Sequence, residues 1–296
     1  MSSTFEGQVI VNFGRHMTVE TATGEQIECR IRGRSLRPVC GDIVSGERLA
    51  DSAGRISVIR ERRSLLVRHD PRFGQQPLAA NVDRMLVVVA PKPALDTSMI
   101  DRYLVAAENL GIAPVILFNK IDLLETLQAD AGRRELDEYA AIGYPILRTS
   151  TVSGAGIPAL NAALLHHTGI VVGQSGTGKS SLLKMLVPEA EIRIGEISHA
   201  TEEGRHTTSV SVLYHLPGGG ELIDSPGVRG FQLWPMPVRE LANGFVEFRA
   251  CLGRCKFSDC SHLHEPGCSI RTALDNGDIS RRRYDSYRAL CAQASS

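Results

Sequence analysis

The sequence predicts a multi-domain protein with an N-terminal β-barrel, a central α/β domain and a small helical C-terminal domain that binds a metal. Three observations lead to this prediction. Short alternating runs fill residues 1–70, apolar runs alternate with helical spacing over residues 71–232, and cysteines and histidines crowd together within residues 233–296. A chain of 296 residues has room for about two ordinary domains, so one of the three parts must be small.

The composition is that of an ordinary globular protein. Hydrophobic residues make up 43% of the chain, and 33 basic side chains balance 33 acidic ones. No apolar run approaches the ~18 residues that a membrane span requires, and no secretory signal opens the chain. We therefore expect a monomeric cytoplasmic protein without a membrane partner, whose seven cysteines are reduced or bound to metal.

The first 70 residues have the pattern of a closed barrel. Short strands are predicted over residues 7–13, 16–20, 26–31, 42–44 and 55–59, with glycine and proline turns between them. Five short strands in so small a segment are typical of an OB-fold, which often binds oligonucleotides. Arg30 and Arg32 would share one face of a strand, and Arg34 and Arg37 follow closely. These four arginines are candidates for RNA contact, and a solvated edge strand protected by charge is the alternative.

Residues 62–79 are polar and contain Pro71, Gly74 and Pro77. Such a composition is typical of a linker, so a domain boundary is predicted here.

The middle of the chain predicts a parallel sheet with a ligand at its edge. Continuous apolar runs at residues 85–90 and 114–118 are typical of strands buried on both faces, and residues 99–110 have helical spacing between them. Asn119, Lys120 and Asp122 follow the second run, where the carboxyl ends of parallel strands bind ligands. The carboxylate of Asp122 could accept two hydrogen bonds from guanine, which adenine cannot donate. The alternative is a helix start with Asp122 in its first turn.

Residues 173–180 read G-x-x-x-x-G-K-S, between a β-branched run at 168–172 and a helical run at 181–186. In a P-loop of this kind, backbone N–H groups surround a triphosphate, the lysine reaches the outer phosphates and the serine binds Mg²⁺. The predicted nucleotide-binding residues of this segment are Gly173, Gln174, Ser175, Gly176, Thr177, Gly178, Lys179, Ser180 and Ser181.

Two further segments complete a possible nucleotide site. Ser150 follows a strand predicted over residues 144–147 and could contact the base from the other side. Asp224 follows a strand at 221–223, where it could hold Mg²⁺ through water, and the N–H of Gly227 could contact a γ-phosphate.

Cysteines and histidines cluster near the C-terminus. Cys255, Cys260, His262 and Cys268 offer three thiolates and one imidazole, the composition of a structural zinc site, although the spacing is not that of a standard finger. A segment this short usually needs a metal in order to fold. Cys251 and His264 are spare candidates. Arg281, Arg282 and Arg283, with Tyr284 and Tyr287 on the same predicted helix, could contact RNA or form a solvated face.

The motifs at 119–122, 149–151, 173–180, 207–208 and 224–227 resemble the five nucleotide motifs of Ras-like GTPases, in permuted order. The whole chain resembles the RsgA family, which comprises circularly permuted GTPases that depend on the small ribosomal subunit. The resemblance implies GTP hydrolysis with Mg²⁺, one structural Zn²⁺, and binding of the small (30S) subunit and its rRNA. It also implies stimulation by that subunit and a role in its late maturation.

The catalytic group is less evident, because Val228 stands where many Ras-like GTPases carry a water-orienting glutamine. The family pattern G-x-H-T-T places His206 beside Thr207 and Thr208, so His206 is the candidate for positioning water and Thr208 for binding Mg²⁺. The alternative for His206 is a solvated loop residue. Two other functions stay open at this point: a P-loop ATPase or kinase, and an RNA-binding zinc protein that senses nucleotide without turnover.

Overall fold

The computed structural model describes residues 3–14, 16–31, 36–49, 53–70, 72–125, 132–188, 210–225 and 231–294. No helix within these ranges combines the length and the apolar character needed to cross a bilayer. The strands are β1 (Thr4–Asn12), β2 (His16–Thr21), β3 (Gln26–Ile31), β4 (Ile43–Arg48), β5 (Ala53–Ile59), β6 (Leu65–Asp70), β7 (Gly74–Ala80), β8 (Arg84–Val89), β9 (Ala113–Phe118), β10 (Ile146–Arg148), β11 (Thr168–Gly173), β12 (Ser211–His215) and β13 (Glu221–Asp224). The helices are α1 (Thr97–Leu110), α2 (Arg133–Ala141), α3 (Ile157–Leu164), α4 (Lys179–Leu186), α5 (Val238–Asn243), α6 (Ser269–Asp275) and α7 (Arg281–Ala294), with 3₁₀ turns at Ile121–Glu125 and Val246–Phe248.

Strands β1 to β5 close into a barrel, which confirms the predicted OB-like domain. The strand order is β1-β2-β3-β5-β4, and β4 returns to pair with β1. Only the β3–β5 pair is parallel. The inward positions of the alternating strands are apolar and fully buried, as at Val9, Val19, Ile27 and Ile56.

The interpretation of residues 62–79 as a linker is wrong. These residues form most of the antiparallel β6–β7 hairpin. Pro77 is tolerated because the register shifts beside its partner Val67, and a bulge is a position where a strand can accept proline. Gly74 has φ +68° at the turn, which Asp70 caps through the N–H groups of Arg72 and Phe73. The exact domain boundaries stay a prediction.

The central sheet places the nucleotide motifs at one edge. Its order is β10-β9-β8-β11-β13-β12, with every pair parallel except β12–β13. Strands β8, β9 and β11 are buried almost throughout, as the continuous apolar runs predicted, and α1 and α4 pack against them. Strand β12 also pairs with β1 of the barrel, so barrel and central sheet form one continuous eleven-stranded sheet.

The C-terminal segment has its own small core. Phe245, Phe248 and Tyr287 pack against one another with ring centroids 5.0–5.6 Å apart. Helix α7 covers this core on one side and contacts α1 of the central domain on the other.

Neither sequence interpretation of the basic run on α7 describes Arg283. Its side chain is 1% exposed and pairs with Asp101 at 2.6 Å and with Glu247 at 2.7 Å. Its neighbour Arg282 donates to the other oxygen of Asp101 at 3.0 Å and pairs with Glu138. Burial disfavours the charge, but the attraction of Asp101 prevails and raises the pKa of Arg283. Arg282, which is half-buried, and Arg283, which is buried, attach α7 to the central domain. Arg281 is exposed, as the solvated-face alternative expected.

Candidate nucleotide site and metal centre

The P-loop connects the end of β11 with the start of α4, and two glycines make its path possible. Gly173 has φ +131°, and a Cβ there would lie 2.3 Å from the carbonyl oxygen of Val88. Gly178 has φ +94°, and its Cβ would lie 2.4 Å from Nδ2 of Asn119. Any other residue would push the loop away from its neighbours, so the local geometry requires glycine at both positions.

The lysine of the loop lies over the loop itself. Nζ of Lys179 donates to the carbonyl oxygens of Gly173 at 2.8 Å and Gln174 at 2.5 Å. Oγ1 of Thr177 also donates to the Gln174 carbonyl at 2.9 Å. Side chains of the loop therefore hydrogen-bond to carbonyl groups of the same loop, and the ammonium group of Lys179 lies against it.

Asn119 and Lys120, at the end of β9, contact the P-loop directly. Asn119 is fully buried, and its Nδ2 donates to the carbonyl oxygen of Thr177 at 2.9 Å. Its Oδ1 accepts from Oγ1 of Thr149 at 3.1 Å. Lys120 takes a left-handed backbone conformation, φ +62°, and its Nζ donates to the carbonyl oxygen of Gly176 at 2.5 Å. Two motifs far apart in sequence thus form one connected surface.

Asp122 lies in the first turn of the 3₁₀ segment Ile121–Glu125, as the helix-start alternative expected. Its carboxylate also accepts a short hydrogen bond from Oγ of Ser150. Ser150 is buried and accepts in turn from the N–H groups of Val152 and Ser153 at 3.1 and 3.2 Å. The loop after β10 therefore fixes the orientation of the Asp122 carboxylate beside the P-loop.

The remaining predicted residues fall into three groups. Asp224 ends β13, which runs parallel to β11, so it lies at the same edge as the P-loop, and Ser180 and Ser181 begin α4. Arg30 and Arg37 are exposed on the barrel. Outside the described residues lie His206, Thr207, Thr208, Gly227, Arg32 and Arg34.

The four predicted metal ligands lie together. The ligand atoms of Cys255, Cys260, His262 and Cys268 are all within 4.8 Å of one another. Nδ1 of His262 is 3.5 Å from the sulfurs of Cys255 and Cys268, which are 4.0 Å apart. Tetrahedral zinc with ordinary bond lengths would place its ligand atoms about 3.6–3.8 Å apart. The cluster therefore fits a four-coordinate metal ion of zinc size, and Cys251 and His264 lie outside it.

The surroundings of His262 and Cys255 favour the forms that bind metal, whereas burial raises the pKa of the Cys260 and Cys268 thiols. Burial lowers the pKa of His262 and so favours the neutral imidazole that binds metal. Burial would raise the pKa of Cys255, but hydrogen bonds from Ser269 outweigh it and lower that pKa. Tyr284 and Tyr287 of α7 donate to the carbonyl oxygens of His262 and Ser261, each at 2.7 Å. Sequence reasoning missed these supports, which anchor the ligand loop to α7.

Known proteins resemble this chain over nearly all of its length. The family model described as RsgA GTPase matches residues 59–234. The "Small ribosomal subunit biogenesis GTPase RsgA 1" of Vibrio vulnificus strain YJ016 is 47% identical over 289 residues, covering 96% of this chain and 82% of the relative. The corresponding protein of Hahella chejuensis is 42% identical over 292 residues, covering 97% and 84%.

Two solved structures share the whole fold. YjeQ from Thermotoga maritima matches with a TM-score of 0.79 and 32% identity over 99% of both chains. YloQ, described as a circularly permuted GTPase, matches with a TM-score of 0.74 and 28% identity over 99% of this chain and 96% of its own. The motif order, the barrel and the Cys₃His cluster agree with these matches, and the chain belongs to the RsgA GTPase family.

Proposed function

We propose that this chain binds GTP with Mg²⁺ and hydrolyses it to GDP and phosphate during biogenesis of the small ribosomal subunit. One observation carries the proposal. The side chains of Asn119 and Lys120 donate to P-loop carbonyls, which supports a site where the Asp122 carboxylate reads the base and the P-loop binds the phosphates of one ligand. The names of the relatives supply the ribosomal context. Rival ATPase or kinase functions gain no support from these relatives.

In this proposal Asp122 accepts hydrogen bonds from guanine, with its orientation set by Ser150. When GTP binds, the ammonium group of Lys179 exchanges its carbonyl partners for the outer phosphates. The backbone N–H groups of the P-loop bind the remaining phosphate oxygens. When Mg²⁺ is bound, it neutralises charge on the β- and γ-phosphates. Ser180, Asp224 and Thr208 are the residues proposed to hold it, and the N–H of Gly227 contacts the γ-phosphate.

Hydrolysis needs a group that positions water, and Val228 cannot supply one. We assign this role to His206. His206→Ala should slow single-turnover hydrolysis by at least tenfold while GTP affinity survives, because positioning contributes mainly in the transition state. A variant that hydrolyses GTP at the wild-type rate would reject the assignment.

The proposed partner is the small subunit, bound through rRNA in the cytoplasm. Arg30 and Arg37 are exposed on the barrel, beside Arg32 and Arg34 in sequence. These arginines are proposed to contact rRNA phosphates, and the C-terminal domain, held together by one Zn²⁺, adds a second contact. Turnover should rise when small subunits are added. Equal turnover with and without subunits would instead favour a nucleotide sensor without a stimulated activity.

A further inference from the structure

A cavity lies away from the P-loop and the Cys₃His cluster. It has a volume of about 390 Å³ and is lined by the turn end of the β6–β7 hairpin, α1, residues 232–236, α5 and the end of α7. This volume is within the range of pockets that enclose small ligands. Among the residues that the structure describes, none of those proposed to bind GTP, Mg²⁺ or Zn²⁺ lines it.

The lining of the cavity combines positive charge, amides and one indole ring. His69 and Arg102 supply the basic groups, Gln232 and Gln293 the amides, and Trp234 the aromatic ring. The other lining side chains are apolar, and no described carboxylate lines the cavity. A ligand that matches this surface is anionic at one end and flat and aromatic at the other.

Two polar atoms of this lining are left without partners. Nδ1 of His69 and Nε of Arg102 are buried, and neither finds a hydrogen-bond partner among the described residues. Asp96 interacts electrostatically with Arg102, but its Oδ1 accepts hydrogen bonds from Ser98 and from the N–H of Met99 at the start of α1. Unpaired buried polar groups are uncommon in native proteins, so both nitrogens would gain a partner from a ligand or an ordered water that reaches them.

The walls are held in place by contacts on both sides. Leu233 and Trp234 pack against the core of the central domain and against the C-terminal core. The N–H of His69 donates to the carbonyl oxygen of Gln232 at 3.3 Å. Phe231 stacks on Tyr103, the neighbour of Arg102, with ring centroids 5.2 Å apart. The basic and aromatic groups are therefore positioned before any ligand arrives.

We propose that this cavity binds one nucleotide, whose base stacks on Trp234 and whose phosphate is bound by Arg102 and His69. Stacking on an aromatic ring beside basic groups is the usual way in which proteins hold an unpaired nucleotide. The source is an unpaired nucleotide of single-stranded RNA, an assignment that rests on the proposed rRNA partner. A free mononucleotide has the same chemistry and is distinguished by the experiment.

The only tryptophan of the chain is Trp234, so tryptophan fluorescence reports on the surroundings of one residue that lines this cavity. The full chain, saturated with GDP to fill the P-loop site, is titrated with a mixed-sequence RNA hexamer and, separately, with AMP. Saturable quenching by the hexamer is expected, with at least tenfold weaker binding for Arg102→Gln. The matched control Arg239→Gln removes an exposed arginine elsewhere and should bind as the wild type does.

The outcomes separate the sources of the ligand. Quenching by AMP but not by the hexamer supports the site and makes a free nucleotide its ligand. No quenching by either probe, or equal affinity in Arg102→Gln and the wild type, overturns the proposal. So does quenching that Arg30→Ala abolishes while Arg102→Gln leaves it intact, because the signal would then come from the barrel.

Two checks keep the result interpretable. If Arg102→Gln lowers the thermal midpoint, Gln293→Ala replaces it, with about threefold weaker binding expected and unchanged affinity overturning the proposal. The hexamer should quench the Trp234 fluorescence of His206→Ala as it does that of the wild type. The nucleotide cavity and the GTPase proposal can therefore fail independently.

Discussion

The barrel and the C-terminal domain are attached to the same central domain by different kinds of interaction. The barrel is joined through the main chain, since β1 pairs with β12 at Val11–Val212 and Asn12–Ser211. The C-terminal domain is joined through buried charges, since Asp101 of α1 accepts from Arg282 and Arg283 of α7. Backbone pairing does not depend on the identity of one side chain, whereas a buried charge network fails when one member is removed.

The two attachments also differ in what they connect. Strand β12 leads through a turn into β13, which ends at Asp224, so the barrel is bonded to a hairpin that reaches the nucleotide site. Helix α7 contacts the loop that carries His262 through Tyr284 and Tyr287, and it contacts the central domain through Arg282 and Arg283. A displacement of the loop that carries His262 should therefore be transmitted to α1 through α7.

The largest effect is expected from removing one ligand of the proposed zinc ion. Cys260→Ser should abolish stoichiometric zinc binding, because it removes one of the four ligands. Structural zinc contributes about 10 kcal/mol or more to the folding of small domains, so the C-terminal core should lose its stability. Amide protection should then be lost across α6 and α7 but retained in β1 and β12, as hydrogen exchange would show. Cys251→Ser is the matched control, because Cys251 lies outside the cluster, and it should retain one zinc per chain. Undiminished protection of α7 in zinc-free Cys260→Ser would contradict the account.

Asp101→Ala should have the next largest effect. It leaves two buried or half-buried guanidinium groups without their shared partner, which costs about 3–5 kcal/mol of unfolding free energy. The control Asp285→Ala breaks the exposed pair with Arg288, worth about 0.5 kcal/mol or less. Urea denaturation of both variants gives the comparison. Equal destabilisation would mean that the buried network does not hold the domain.

The smallest effect is expected at the barrel joint. The thiol of Cys40 donates to the carbonyl oxygen of Ser211 at 3.0 Å, and Cys40→Ala removes this contact at a cost of about 1 kcal/mol. The isosteric Cys40→Ser keeps a donor and should lose less. In both variants the amides of Val11 and Val212 should stay protected from exchange. Loss of that protection would show that the attachment of the barrel depends on the Cys40 side chain rather than on the backbone pairing of β1 with β12.

The same division explains what the sequence could predict. The P-loop was predictable because its requirements are local: Gly173 and Gly178 are needed by their own backbone angles and nearest neighbours. The Cys₃His cluster was predictable because the ligand types are rare and crowded within a short segment. The barrel strands were predictable from alternation, which depends only on neighbouring residues.

Features that depend on distant residues were not predictable. Arg283 looked like a solvent or RNA contact because its partner Asp101 lies far away in sequence. Pro77 looked like a linker residue because a bulge in a hairpin becomes visible only when the strands are paired. The β1–β12 pairing has no sequence signal at all, since main-chain bonds leave none.

The central claim is that the Asn119–Asp122 turn and the P-loop bind opposite ends of one guanine nucleotide. The most direct test is nucleotide selectivity of Asp122→Asn, measured as affinities for GTP, xanthosine triphosphate and ATP beside the wild type. We predict that GTP binding weakens about 100-fold or more, because the amide cannot accept both guanine hydrogen bonds, while xanthosine triphosphate binds better than in the wild type. Unchanged GTP affinity in Asp122→Asn, or ATP competing as well as GTP in the wild type, would contradict the claim.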